Sequence, residues 1–168
     1  MKQLFAASML LGVSHVAFAE PGVTELPSGG VVTHGDAVIS SSGSHTNPVL
    51  NIDQTSQRAI LHWNSFNVGR DATVNFNQPN GSASTLNRIG GNKPSEIFGK
   101  INANGEVILQ NQAGVYFSKS SSIDVGALTA TSHHISDQHY KDGHYHFDRD
   151  GSTGSVVNEG NIKSSLGG

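Results

Sequence analysis

The residues best suited to metal or cofactor chemistry are histidines near the carboxyl end of the chain. Five of the nine histidines lie between His133 and His146. If this segment is a strand, His144 and His146 point to the same face, and together with His139 they could bind zinc, copper or haem iron. Neither a cysteine nor a His-Glu-x-x-His spacing accompanies them. A solvated, histidine-rich hairpin is therefore the competing interpretation.

Carboxylates are the other candidates for catalysis, and they are scattered. A lyase or hydrolase built on stacked strands needs two or three carboxylates that converge on one face, often with Arg or Lys. The acidic residues considered lie mostly beside predicted turns: Asp36, Asp53, Asp71, Glu96, Glu106 and Asp124. No nucleophile elbow, phosphate loop or calcium-binding nonapeptide is present. We predict a protein that is not an enzyme and needs no cofactor, with a β-helical carbohydrate-active enzyme as an alternative.

Charge and composition restrict the class of protein further. The formal net charge is −3, without a cluster of Lys or Arg, so no surface for nucleic acid is expected. Charged residues make up 14% of the chain, Gly is abundant and Cys is absent. The apolar content is ordinary, which allows a buried core and argues against disorder.

The first residues have the pattern of a secretory signal peptide, predicted over 1–19. Lys2 gives a positive start, an apolar segment follows, and Ala17-Phe18-Ala19 is a small-x-small site, which places cleavage between Ala19 and Glu20. The apolar segment is shorter than the roughly 20 residues that a membrane-spanning helix needs. Export through the general secretory machinery is therefore expected.

Short strands separated by turns account for the rest of the chain, which we treat as one domain over 20–168. Gly99 to Phe117 is expected to hold two consecutive strands joined by tight corners, and similar punctuation recurs at 31–40, 122–131 and 154–163. No segment after Glu20 keeps a helical apolar period for three turns. The chain is predicted to be all-β, with its short strands stacked around one axis.

Local patterns place several of these strands. Val31-Val32 and Ala37-Val38-Ile39 flank a turn at His34-Gly35-Asp36, which predicts a hairpin. Segments 58–63 and 84–89 are also predicted strands. Trp63 and Phe66 are expected to anchor the core.

Four segments of the chain resemble one known family. They are HWNSFNVG (62–69), VNFNQPNGSASTLNRIGG (74–91), GKINANGEVILQNQAGVYFS (99–118) and SIDVGALTAT (122–131). Their order and spacing are similar to those of the amino-terminal secretion (TPS) domain, or haemagglutination activity domain, of filamentous-haemagglutinin-type exoproteins. These are the exported partners of two-partner secretion, and the resemblance extends over essentially all of 21–168.

The resemblance implies a right-handed, single-stranded parallel β-helix of the pectin-lyase-like type, with amino-terminal capping strands and an extra-helical hairpin. It also implies that the domain directs export of a haemagglutinin-like adhesin from a Gram-negative periplasm to the cell surface or the medium. In that family the partner is an outer-membrane β-barrel whose POTRA domains recognise partly unfolded strands. Addition of an extended segment to the edge of a POTRA sheet would supply main-chain hydrogen bonds.

The same resemblance suggests residues for transporter recognition or for the turns between coils. The candidates are Asn87, Arg88, Asn102, Asn104, Gly105, Asn111 and Gly114. The family's Asn-Pro-Asn-Gly turn falls on Asn111-Gln112-Ala113-Gly114, where Pro and the second Asn are replaced. The extra-helical hairpin falls on 140–147, with Gly143 between two aromatic strands.

The last residues, Leu166-Gly167-Gly168, provide no amphipathic cap. We therefore expect either a truncated form of a longer exoprotein, which we favour, or a stand-alone secretion domain that pairs end to end. Any adhesive contact with a host cell surface would lie in the missing region. The main alternative is a small extracellular protein that binds metal or haem through its histidine-rich hairpin.

Overall fold

Strands dominate the computed structural model, which describes residues 20–165. The predicted signal peptide, Ala19 of its cleavage site and the last three residues lie outside the described residues. One short helix, α1 (Asp137–Lys141), accompanies fourteen strands. The all-β prediction is confirmed.

The strands form three sheets, which are the three faces of a β-helix. The five-stranded sheet contains, in spatial order, β1 (Val31–His34), β4 (Arg58–Trp63), β6 (Ser84–Ile89), β9 (Glu106–Asn111) and β12 (Ala127–Thr131). The six-stranded sheet contains β14 (Asn161–Ser164), β11 (Ser122–Val125), β8 (Lys100–Ala103), β5 (Thr73–Asn77), β3 (Pro48–Gln54) and β2 (Ala37–Gly43). The three-stranded sheet contains β13 (Ser155–Asn158), β10 (Gly114–Phe117) and β7 (Ser95–Ile97).

Successive coils stack with their strands parallel and in register. In the six-stranded sheet β3, β5, β8, β11 and β14 pair in parallel, one coil on the next. The register places one apolar side chain above another along an inward-facing row: Leu50, Val74, Ile101, Ile123 and Ile162. Because strand side chains alternate between faces, the neighbouring positions point to solvent. Burial of such rows is the main stabilising contribution that each added coil makes.

The amino end is closed by the only two antiparallel strand pairs between named strands of residues 20–165. Strand β1 pairs with β4, and β2 pairs with β3. The predicted capping strands are therefore confirmed. The predicted hairpin of Val31-Val32 with Ala37-Val38-Ile39 is wrong, because β1 and β2 belong to different sheets. Gly35, with φ of 75°, turns the chain from one face to the next instead.

Strand bounds were predicted with mixed success. Strands β4 and β6 have the predicted bounds, and Trp63 and Phe66 are buried and pack edge to face, with ring centroids 5.4 Å apart. The segment from Gly99 to Phe117 contains three strands, β8, β9 and β10, rather than the predicted two. The additional strand is β8 at the start of the segment, where Ile101 fills the inward row between Val74 and Ile123.

Backbone from successive coils approaches closely at Gly99. A Cβ atom built there would lie 2.1 Å from the carbonyl oxygen of Gly69 and 2.4 Å from that of Ala72. At Gly90, by contrast, the nearest atom to such a Cβ is 3.6 Å away.

Gly99→Ala should therefore lower the free energy of unfolding by about 1–3 kcal/mol, because neither carbonyl can move without breaking the stack. Gly90→Ala is the matched control and should change it by about 0.5 kcal/mol or less. Urea unfolding followed by tryptophan fluorescence measures both. Equal stability of the two variants would contradict the close packing of coils at Gly99.

Candidate functional site

Two of the predicted corner residues, Asn104 and Gly105, join one coil to the next. The Asn104 side chain accepts a hydrogen bond from the main-chain N–H of Gln78 and donates one to its carbonyl oxygen, both at 2.8 Å. The Gly105 N–H donates to Gln78 Oε1 at 2.7 Å. A Cβ at Gly105 would meet the Ala83 carbonyl oxygen at 2.4 Å. The amide of Gln78 thus substitutes for missing main-chain partners at this corner.

The turn at Asn111 to Gly114 is held from inside the coil. Asn111 is fully buried, and its Nδ2 donates to the Lys93 carbonyl oxygen and to Ser95 Oγ, both at 3.0 Å. Its Oδ1 accepts from the Ala113 N–H at 2.9 Å. Gly114 has a φ of 111°, a conformation that side-chain-bearing residues rarely adopt. The replacements of Pro and Asn therefore leave a closed turn.

Asn87 does not lie in a turn between coils, in agreement with the predicted strand over 84–89. It lies within β6, fully buried, and its Oδ1 accepts from Trp63 Nε1 at 3.0 Å. Its Nδ2 donates to the Ile108 carbonyl oxygen at 3.2 Å. The side chain satisfies the Trp63 indole in the interior, where an unpaired N–H would be costly.

Asn102 also lies within a strand, β8, and not at a corner. It belongs to a ladder on the outer side of the six-stranded sheet, in which Asn102 Nδ2 donates to Asn75 Oδ1 at 2.9 Å, and Asn75 Nδ2 donates to Asn51 Oδ1 at 3.1 Å. The next position in register is Asp124, which pairs with Lys163 at 3.0 Å. An ionised carboxylate cannot donate to the Asn102 oxygen, so the amide ladder ends there.

Arg88 projects from the outer face of the five-stranded sheet, where it contacts a long connection between β12 and β13. We call this connection, residues 132–154, the excursion. Arg88 Nη2 donates to the Ile135 carbonyl oxygen at 2.9 Å and to Asp137 Oδ1 at 2.8 Å. Burial lowers the pKa of the Arg88 guanidinium, whereas Asp137 opposes that shift. Arg88 thus fixes the start of the excursion to the sheet.

The excursion covers a second apolar core on that outer face. Ile60, Leu86 and Ile108 form a row in register across β4, β6 and β9. The excursion contributes Ile135 and Tyr140, both fully buried, with Phe147 packed beside them. The five-stranded sheet is therefore buried on both faces along this row.

The hydroxyl of Tyr140 reaches the main chain of two coils. It lies 2.8 Å from the Ser84 carbonyl oxygen and 3.1 Å from that of Ala59. Burial raises the pKa of Tyr140 to about 12. Tyr145 stacks on Tyr140 with centroids 6.0 Å apart, and Arg58 lies over both rings at 5.6 and 5.7 Å. These contacts hold the excursion against the sheet.

The predicted hairpin over 140–147 is wrong in its local structure. An antiparallel bridge between His134 and Asp148 closes the base of the excursion, but helix α1 and a turn replace the expected strands. Ser136 caps the helix, its Oγ accepting from the His139 N–H at 3.1 Å. His144 and His146 therefore do not share the face of a strand.

His139, His144 and His146 are exposed on the excursion, whereas His133 and His134 at its start are half-buried. The rings of His139 and His146 pack edge to face with centroids 5.8 Å apart, and His146 Nε2 lies 3.1 Å from Asp148 Oδ1. Over residues 20–165, no group of three or more His, Cys, Asp or Glu is arranged to hold a metal ion. The surface around His139 and His146 could thus offer one or two imidazole ligands.

The carboxylates take separate structural roles. Glu106 accepts from the Tyr145 hydroxyl at 2.7 Å, and Asp53 accepts from Asn77 Nδ2 at 2.7 Å. Burial raises the pKa of Glu96, and the nearby Glu25 adds to that shift.

Across the described part of the chain, no helix is both long and apolar enough to span a membrane.

The roles of the buried Tyr140, Gln54 and Gln78 were not identified from the sequence. The Tyr140 contacts join residues 56 and 81 positions apart, so no local pattern indicates them. The Ser136-Asp137 pair is a signal for the start of a helix that could have been used.

The chain matches a protein-family model and a solved structure. Residues 24–168 match the family model of the TPS secretion domain. The solved secretion domain of HMW1 from Haemophilus influenzae superposes with a TM-score of 0.73 and 29% identity, over 80% of this chain and 35% of that one.

Curated relatives are similar over most of the chain. A heme/hemopexin-binding protein of Haemophilus influenzae strain Rd is 32% identical over 165 residues, which are 96% of this chain and 18% of that protein. Another heme/hemopexin-binding protein of Haemophilus influenzae is 36% identical over 111 residues, which are 66% of this chain and 12% of that protein. The chain thus spans less than a fifth of the length of either relative.

The raised pKa of Tyr140 predicts a loss of stability at alkaline pH. The phenol of the unfolded chain loses its proton near pH 10, while the folded one keeps it to about pH 12. Stability that is fully present below pH 10 should therefore fall by about 2–3 kcal/mol as the pH rises to 12.

Tyr140→Phe should be less stable than the wild type at pH 8, because it loses the hydroxyl contacts, but it should lose less stability between pH 10 and 12. Urea unfolding at several pH values measures both effects. Parallel pH profiles for the two proteins would show that Tyr140 is not the buried phenol that we describe.

Proposed function

This chain belongs to the TPS secretion domain family, and we propose that POTRA domains of its outer-membrane partner recognise its strands before they fold. It is a domain of a two-partner secretion exoprotein, and TPS domains work with an outer-membrane transporter. Such exoproteins are secreted across the outer membrane to the cell surface or beyond. The family is one of secretion domains, not of enzymes, and we propose that this chain has no catalytic activity of its own.

The observation that carries the proposal is the way in which coils pair. Each coil binds the next through the main chain of short parallel strands, such as β5 with β3 and β8. An unfolded strand offers the same N–H and C=O groups to the edge of a POTRA sheet. Recognition and folding then compete for one set of hydrogen bonds, so binding to the transporter requires strands that have not yet stacked.

The burial of the candidate recognition residues supports the same order of events. Asn87, Gly105, Asn111 and Gly114 are buried in the folded domain. If the transporter contacts them, it does so while they are exposed in the unfolded chain. Arg88 is mostly covered as well, with its side chain 16% exposed. Asn102 and Asn104 remain exposed after folding.

We propose further that the signal peptide is cleaved between Ala19 and Glu20 after passage to the periplasm. The transporter then takes the unfolded chain, and coils form outside the cell as the chain emerges. Regions beyond this domain supply the activity of the whole exoprotein, including any contact with a host cell.

A disulfide that staples two coils should block export. The half-buried Asn75 and the exposed Asn102 are register partners on adjacent parallel strands, and residues 20–165 contain no cysteine. The Asn75→Cys/Asn102→Cys protein, once oxidised in the periplasm, should remain there, because its coils cannot separate for recognition. Each single variant is a control and should reach the medium, as should the double variant kept reduced.

Export is measured by immunoblotting of medium and periplasm, with and without the co-expressed cognate barrel. Export of the oxidised double variant at the wild-type level would show that unstacked strands are not required. Export of the wild type without the barrel would contradict two-partner secretion itself.

Haem binding is a second candidate function, because both curated relatives are heme/hemopexin-binding proteins. We propose that the exposed imidazoles of His139 and His146 supply an iron ligand, since a single histidine is enough to hold haem iron. In the same excursion Tyr140 and Tyr145 stack on each other, which stiffens the segment that carries both histidines.

Titration with haemin should shift the Soret band of the folded domain, and His139→Ala/His146→Ala should abolish the shift. His45→Ala, at the exposed tip between β2 and β3, is the matched control and should bind as the wild type does. An unchanged spectrum, or equal binding by the double variant, would remove this candidate.

A further inference from the structure

Strand β2 is the open edge of the six-stranded sheet at the amino end of the β-helix. It pairs with β3 along its whole length without a bulge, and no strand of residues 20–165 pairs with its other side. Sheet edges are normally guarded by charged residues, proline or a bulge, because an unguarded edge pairs readily with other strands. The sequence of β2, AVISSSG, contains no charged residue and no proline. This edge is therefore open to pairing.

The hydrogen bonds between β2 and β3 show which main-chain groups face that edge. At one end of the pair, Ser44 and Asn47 exchange two main-chain hydrogen bonds of 3.2 Å. At the other end, the Thr55 N–H donates to the Asp36 carbonyl oxygen at 3.0 Å. In an antiparallel pair, such positions alternate with positions whose N–H and C=O groups point away from the partner strand. The residues of β2 whose groups point to the open edge are thus Ala37, Ile39 and Ser41.

Apolar side chains at the same end of the β-helix are only partly covered. Leu26, Val32 and Ile39 pack against the interior but remain half-buried. Val38, on the other face of β2, is 64% exposed. Burial of these side chains against a second apolar surface would be favourable.

We propose that the open edge of β2 pairs with the same edge of a second copy of this chain, in an antiparallel dimer with its two-fold axis at Ile39. In this register Ile39 faces Ile39, and Ala37 of each copy faces Ser41 of the other. Every outward N–H and C=O of these residues then gains a partner, which makes about six main-chain hydrogen bonds. Gly43, with φ of 82°, begins the turn to β3 and takes no part.

The symmetry of the edge favours a second copy over an unrelated strand. Because β2 carries no charge, two copies meet without like charges opposite each other. The half-buried apolar end of one copy also meets an equal apolar end, and Ile39 is covered by its own counterpart. Pairing uses the open edge of both copies, so the dimer is closed and does not grow into a filament.

Charge at the rim of the interface is complementary in the same register. A groove of about 530 Å³ lies at the Ser41 end of the edge, and His45 is the one ionisable residue in its lining. Asp36 of the second copy comes opposite Ser42, which also lines this groove. The carboxylate of one copy thus approaches the imidazole of the other at both ends of the dimer.

This dimer is independent of the proposed recognition by the transporter. Dimerisation requires folded domains, whereas the transporter is proposed to bind strands that have not yet stacked. Because dimerisation is measured with purified protein, it can fail while the secretion function stands, and the reverse also holds.

Sedimentation equilibrium of the purified chain without its signal peptide, up to about 500 μM, tests the proposal. We expect a monomer–dimer equilibrium with a dissociation constant of about 10–100 μM, as suits a small interface. Hydrogen exchange followed by NMR locates the interface. The amides of Ile39 and Ser41 should exchange more slowly as the dimer fraction rises, whereas those of Val38 and Ser40, which face β3, should be protected at every concentration.

Val38→Lys/Ser40→Lys tests the register, because position 38 of one copy faces position 40 of the other and both positions are exposed. Like charges placed directly opposite each other should weaken the dimer at least about tenfold. Val38→Glu/Ser40→Lys places opposite charges at the same positions and should restore the wild-type dissociation constant to within about threefold. Val156→Lys, at an exposed apolar position on the edge strand β13, is the matched control and should dimerise as the wild type does.

Ser41→Pro provides a second test if the doubly charged variants do not fold. It removes an N–H that β3 does not use, which an edge strand tolerates, and it should weaken the dimer about tenfold. A wild type that stays monomeric at about 500 μM would overturn the proposal. Dimerisation that neither Val38→Lys/Ser40→Lys nor Ser41→Pro weakens would reject β2 as the interface, and so would exchange of Ile39 and Ser41 that does not depend on concentration.

Discussion

Register between parallel coils is the constraint on which the rest of the structure depends. A slip of one residue would move Val74 and Ile101 from the interior to solvent and bring Asn75 and Asn102 inside. The inward row selects for apolar residues, while the outward row is held by its ladder of amides. Both faces of the strand thus enforce the same alignment, and every corner and ladder described above presupposes it.

In the five-stranded sheet, register aligns apolar residues on both faces, one facing the interior of the β-helix and the other facing the excursion. Ala59-Ile60-Leu61 and Val107-Ile108-Leu109 are continuous apolar runs, which are typical of strands buried on both faces. The middle residue of each run belongs to the outer core, where Tyr140 packs. The excursion is therefore an integral part of the folded domain, because without it the apolar row of Ile60, Leu86 and Ile108 would face water. Arg88 and Tyr140 attach the excursion to the sheet at two different points. Arg88 forms an ion pair with Asp137, and the Tyr140 hydroxyl donates to main-chain carbonyl oxygens of the sheet.

The strands could be predicted from local patterns, whereas the contacts between distant segments could not. In strands β4 and β6, apolar residues either alternate with polar ones or form a short run, and turn residues flank each strand. Their bounds could therefore be predicted from the sequence. Asn102 was expected at a corner because isolated Asn favours turns, but stacking on Asn75 outweighs that preference.

The excursion shows the same limit at larger scale. Its aromatic and histidine pattern suits a strand as well as a short helix, and only the Ser136 cap distinguishes them locally. The contacts of Arg88 with Ile135 and Asp137 could not be predicted at all, because they join residues 47 and 49 positions apart along the chain.

The antiparallel closure of the amino end gives the column a polarity. Strands β1 and β2 run against their neighbours, and Ser28 bridges to Ser65 across the same end. A further parallel coil cannot be added on that side, whereas the opposite side offers parallel strands to whatever chain follows. Elongation by parallel stacking is thus one-directional, in the manner of a filament that is blocked at one end.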